Sequence, residues 1–96
     1  MIDGNVNVFF DNMYHGDEFN ISYRDKQYFI QSYFLDFQTY IHEIVVRQAN
    51  PEIAEDKIFE CKSNNPQQNI ENFQNAKIFN GKTFWEVEQE ITWLDN

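Results

Sequence analysis

"YFIQSYFLDFQTYIHEIVVR", from Tyr28 to Arg47, has two readings, and they give different folds. Ile30, Phe34, Phe37, Ile41 and Ile44 recur at i, i+4, i+7, i+11 and i+14, the stripe of one long amphipathic helix ending before Asn50-Pro51. The same letters also divide into two runs rich in Tyr, Phe, Ile and Val, on either side of Leu35-Asp36-Phe37-Gln38, with no Gly or Pro to mark a turn. Periodicity alone does not separate the two. Composition favours strands, because β-branched and aromatic residues dominate the stretch and alanine is absent from it.

Working outward, Phe19, Ile21 and Tyr23 alternate with Asn20 and Ser22 before Arg24-Asp25-Lys26 interrupts the pattern. With Tyr28-Phe29-Ile30 beyond, this is a hairpin signature. "KIFECK", from Lys57 to Lys62, reads as a further strand, which makes a meander of four. Upstream, Val6, Phe9, Phe10 and Met13 form a helical stripe; Asp3 or Asn5 can cap its start and Gly16 can terminate it. Downstream, Asn65-Pro66-Gln67-Gln68 supplies an N-cap, a proline at the first helical position and a glutamine at the third. That helix is expected to bury Ile70 and Phe73, with Ala76 as a further candidate. Asn80-Gly81 then turns the chain, and Thr83 with Glu86 forms a second capping box that opens a helix burying Phe84, Val87, Ile91 and Leu94.

The expected fold class is therefore α+β, with residues 1–96 a single acidic domain. An N-terminal helix precedes a four-stranded antiparallel meander sheet, and two C-terminal helices pack on one face, where Phe73, Phe84 and Ile91 find the partner surface they need. The 96 residues, 42% hydrophobic and 18% aromatic, suffice for one core and are too apolar for a disordered chain. No apolar run approaches the roughly 20 residues of a membrane span, and "MIDGNVNVFF" lacks the pattern of a signal peptide. One cysteine, Cys61, forms no internal disulfide and suits a reducing compartment. These readings place the protein in the cytoplasm, where the glycosylation pattern Asn20-Ile21-Ser22 is a chance match.

"HGDEFNISYRDKQYFI" (His15 to Ile30) and "FNGKTFWEVEQEI" (Phe79 to Ile91) resemble segments of small proteins of low-GC Gram-positive bacteria and their mobile elements. No activity is assigned to that family, so the resemblance implies no functional residue.

Chemistry-bearing patterns are few. Cys61 with His15 or His42 as base lacks any local motif for an orienting group or an oxyanion site. The same three residues, 27 and 19 positions apart, match no compact zinc spacing. "DGNVN" begins like a calcium loop but has Val8 where the glycine belongs and Tyr14 where the closing glutamate belongs. Glu86 and Glu90, four apart, read as a solvated helix face rather than an acid–base pair. The chain is thus expected to be no enzyme, with no catalytic residue, no cofactor and no metal.

Net charge is −9, from 16 acidic and 7 basic residues. Direct nucleic-acid binding is excluded as an expectation, because affinity for phosphates comes from Lys and Arg. The acids Asp17, Glu18, Glu52, Glu55, Asp56, Glu86, Glu88, Glu90 and Asp95 either solubilise the chain or imitate a phosphate backbone toward a basic protein. At about 100° per residue, Trp93 points away from the apolar stripe of the last helix, among Glu86, Gln89 and Glu90, with Trp85 at the stripe's margin. Trp93, Glu86, Glu90 and Gln89 are the candidate partner-binding residues, since tryptophan is enriched at interface hot spots. If the helix unwinds near the chain end, Trp93 instead folds back onto the core. The expected function is an acidic protein-binding module, an inhibitor or immunity-type protein that covers a basic surface, acting as monomer or homodimer. The alternative is an assembly protein that forms homo-oligomers through Phe34, Phe37 and Tyr40.

Overall fold

Tyr28–Arg47 is two strands joined by a turn. The computed structural model describes residues 6–36, 38–49 and 52–94, so Phe37, Asp95, the caps Asp3 and Asn5, and Asn50-Pro51 lie outside the described residues. In chain order the elements are α1 (Val6–His15), β1 (Glu18–Tyr23), β2 (Lys26–Asp36), β3 (Ile41–Gln48), β4 (Lys57–Ser63), α2 (Pro66–Asn75), a single turn α3 (Phe84–Val87), a 3-10 turn (Glu88–Glu90) and β5 (Ile91–Leu94). The helical stripe in β2 and β3 is a coincidence of spacing. β2 buries the alternate positions Tyr28, Ile30 and Ser32, whereas β3 buries His42, Glu43, Ile44, Val45 and Val46 in succession. Of the stripe, Ile30 and Ile44 are buried while Phe34 and Ile41 are half-buried, and Ile41 has the opposite parity to the other three. Antiparallel pairing sets Ile30 against Val46 and Ser32 against Ile44.

The sheet is antiparallel throughout, in the order β4-β3-β2-β1-β5. The expected meander of four strands is present, and a fifth strand is added by the segment expected to be helical. The capping box does form: the Glu86 carboxylate accepts from the Thr83 backbone N–H at 2.9 Å and from its hydroxyl at 3.2 Å. It launches only one turn of helix. So short a helix has little cooperative support, while Ile91-Thr92-Trp93 has strand-forming side chains and β1 offers an unpaired edge. Ile91, Thr92, Trp93 and Leu94 accordingly pair with Tyr23, Ser22, Ile21 and Asn20.

One face of the sheet is covered. Phe9 and Met13 of α1, Ile70 and Phe73 of α2, and Phe84 and Val87 of α3 pack onto Phe19, Ile21, Tyr23, Tyr28, Ile30, Ile44, Val46 and Ile91, with Ile78 and Phe79 closing one end. Ala76 is only partly buried. Local signals place the helices. Gly16, at φ +89°, ends α1 in the left-handed region, where a side chain would be strained. Asn65 caps α2 by accepting from the Gln68 N–H at 3.2 Å, but Gln68 donates onward to Asn72 and does not close a box. The backbone N–H of Asn65 is satisfied by the Ser63 hydroxyl instead. Asn80 and Gly81, both at positive φ, make the turn across which Phe79 and Lys82 exchange two 3.0 Å hydrogen bonds.

Candidate functional site

The two tryptophans lie opposite to the helical expectation. Trp93 stands on β5 with its ring 5.4 Å from Phe9 and 5.9 Å from Phe19, half-buried against the core. Its neighbours along the strand point elsewhere, because alternate residues of a strand face opposite sides of the sheet. Trp85 is 53% exposed, resting on Phe10 at 5.8 Å and on Phe84 at 5.1 Å. Glu86, Gln89 and Glu90 remain on the surface of α3 and the 3-10 turn, so the fold keeps these three together and separates Trp93 from them. Each has a local partner. Glu86 is held below the usual carboxylate range by the Thr83 N–H and then the Thr83 hydroxyl, Gln89 donates to Glu88, and Glu90 accepts from Arg24 at 3.1 Å.

The helical layer has a charge character the linear sequence hides. α1, α2, α3 and the 3-10 turn carry Asp11, Glu71, Glu86, Glu88 and Glu90, and no lysine or arginine. All seven basic residues lie on strands and connections. The sheet's other face mixes signs: Phe29 opposes Arg47, Gln31 opposes Val45, and Tyr33 opposes Glu43, which in turn opposes Lys62. There the Tyr33 hydroxyl donates to Glu43 at 2.6 Å; burial and that bond push Tyr33 up to about 12. Glu60 is held low by its hydrogen bond with Glu43 and by Lys57. The acidic helical layer also bears partly exposed aromatics: Trp85, Phe10 and, one turn along α1, Tyr14. The spacing of Phe10, Asp11 and Tyr14 was legible, but their solvent exposure depends on how α1 sits against α2 and α3.

Beneath this layer lies an arrangement that resembles a catalytic triad and is wired differently. The Ser32 hydroxyl donates to the Met13 carbonyl at the end of α1, and His42 Nε2 lies 2.8 Å from Ser32 Oγ and 3.1 Å from the same carbonyl. On the other side of the ring, Asn69 Nδ2 is 2.9 Å from His42 Nδ1 and donates to the His42 backbone carbonyl at 2.8 Å, while its Oδ1 accepts from Ser63 at 2.9 Å. An amide N–H facing Nδ1 makes Nδ1 the acceptor, so Nε2 carries the proton. A general base needs the reverse, a bare Nε2 to take the serine proton. Ser32, His42 and Asn69 are 2%, 0% and 0% exposed, and burial lowers the His42 pKa. This network fastens α1 and α2 to the sheet.

Cys61 belongs to the edge of that network. Its half-buried thiol donates to the Asn69 carbonyl at 3.5 Å and is pushed up to about 11, chiefly by burial. It is a thiol at neutral pH, not a thiolate nucleophile. His15 sits at the exposed end of α1, its Nδ1 donating to the Asp11 carbonyl. Among the described residues no three His, Cys, Asp or Glu side chains gather as a metal site, and no helix is long and apolar enough to cross a membrane. Phe34 packs on the His42 ring at 5.1 Å, whereas Tyr40 is 63% exposed at the tip of the β2–β3 connection. No family model, curated protein or solved structure matches this chain.

Proposed function

We propose that this protein is a non-enzymatic binding module that covers a basic surface of a target protein, in the manner of an inhibitor or immunity-type protein of the cytoplasm. The observation that carries the reading is the helical layer, which joins five carboxylates, no lysine or arginine, and a half-exposed Trp85 on one side of the fold. Negative charge steers a basic partner into contact, and a desolvated aromatic anchor supplies the energy that holds it. Nucleic-acid-binding proteins present basic surfaces of this kind, so a target of that class falls within the proposal. Trp85 replaces Trp93 as the proposed anchor, with Glu86, Gln89 and Glu90 beside it.

The test is surface plasmon resonance against a panel of basic proteins at low and moderate salt. Binding that weakens with salt, and weakens at least about 30-fold further in Trp85→Ala, the equivalent of roughly 2 kcal/mol, supports the reading. Binding indifferent to both, or a hydrolase or transferase activity in a broad substrate screen, overturns it. A second reading, self-assembly through aromatic surface, is favoured by the exposed Leu35 and Tyr40 near the β2–β3 tip. Light scattering over a concentration series decides it: a strict monomer removes it.

A further inference from the structure

A groove of about 220 Å³ runs between α1 and α2. Its apolar lining is half-buried Phe10 and buried Ile70, with Tyr14 beside them, 43% exposed. The remaining lining is polar: the carboxylate of Asp11 and the amides of Asn7, Gln67 and Gln74. The Asp11 side chain is 70% exposed, with the His15 ring 3.7 Å away and engaged on the backbone carbonyl.

We infer that this groove receives an arginine side chain from the partner, an inference that rests on the binding-module reading above. The volume suits one long side chain. Arginine joins an apolar stem to a planar cation that stacks on aromatic rings and carries five N–H donors. The groove matches each part: Phe10 and Ile70 meet the stem, Tyr14 offers a ring to the plane, Asp11 a carboxylate to the charge, and the three amide oxygens take the remaining donors. A leucine there would desolvate Asp11 and the amides without partners. An anionic group would meet Asp11 with no lysine or arginine on either helix. Lysine, a compact charge without a plane, forgoes the stacking and the forked hydrogen bonds.

The experiment is an amide-resolved NMR titration of the full chain with blocked Gly-Arg-Gly, its lysine and citrulline counterparts, and a 20-residue peptide of alternating arginine and serine. Gly-Arg-Gly should shift the amides of Asn7, Asp11, Tyr14, Gln67 and Gln74. It should bind at least about threefold tighter than the lysine peptide, as expected of a planar over a point-charge donor, with no response to citrulline. Asp11→Asn, which keeps shape and removes charge, should abolish the arginine preference, whereas Glu60→Gln on the opposite face of the sheet should not. Equal response to all three tripeptides, shifts confined to other residues, or an unchanged preference in Asp11→Asn overturns the groove assignment. If the long peptide still shifts the helical layer, that assignment alone fails. If it binds nowhere at low salt, the binding-module reading falls with it.

Discussion

Trp93→Ala would remove an indole set nearly perpendicular to Phe9, at 88°, and packed on Phe19 as well. A partly buried aromatic of this kind should cost roughly 2–4 kcal/mol of folding stability when truncated, read by urea denaturation. Trp85→Ala should change stability by less than about 1 kcal/mol, as surface substitutions do, and exert its effect on partner affinity. Equal losses would place both rings in the core. At the same scale, His42 sets a pH dependence. Its folded pKa lies below the ordinary value because the ring is buried neutral, so the unfolded chain binds a proton that the native state refuses. Stability from neutral burial is therefore complete above about pH 6.5, the unfolded value, and declines as pH falls from there toward the folded pKa. Urea midpoints measured from pH 7.5 to 5 should fall, and His42→Phe should flatten that decline. An unchanged slope in the variant would assign it to other groups.

The buried network acts on elements. Asn69 reaches from α2 to His42 on β3 and to Ser63 on β4, while Ser32 and His42 both hold the Met13 carbonyl in the last turn of α1. Asn69→Leu leaves His42 Nδ1, the His42 carbonyl and the Ser63 hydroxyl without that partner, at about 1–3 kcal/mol for each buried group left unsatisfied. Hydrogen exchange should show α1 and α2 losing protection before β2 and β3 do. β5 gives the second test at this scale. Ile91 is fully buried, and Ile91→Ala should cost roughly 2–5 kcal/mol. Because Ile91 pairs with Tyr23, the amides of β1 should exchange faster in the variant; unaltered β1 exchange would mean that β5 contributes nothing to the sheet's edge.

For the whole molecule, the decisive property is the separation of charge between layers. Net charge of −9 describes repulsion and solubility, but the helices concentrate five acids and carry no lysine or arginine of their own, with Arg24 reaching Glu90 from the β1–β2 turn. Reversing Glu71 and Glu90 to lysine should slow association with a basic partner several-fold at low salt and flatten its dependence on ionic strength, with dissociation little changed. Stopped-flow measurements between about 20 and 200 mM salt, across which the Debye length falls from roughly 20 to 7 Å, check this. The same reversals on the other face of the sheet, at Glu18 and Glu60, should have the weaker effect, since Arg47 and Lys62 already break the field there.

The sequence by itself determined whatever local chemistry and short-range periodicity control. Gly16 ends α1, Asn65 with Pro66 starts α2, Asn80-Gly81 makes a left-handed turn, Thr83 with Glu86 opens a helix, and the first four strands fall where alternation in β1 and a β-branched and aromatic composition in β2 and β3 indicate them. Tertiary structure decided the rest. The last strand forms because β1 has an open edge within reach, a competition with helix that residues 84–94 cannot express alone. That one event turned Trp93 inward. The His42 network joins positions 13, 32, 42, 63 and 69, separations at which no local pattern exists. The acidic layer and its groove likewise arise from the packing of α1 on α2, because side-chain exposure is a property of neighbours in space and not of neighbours in the chain.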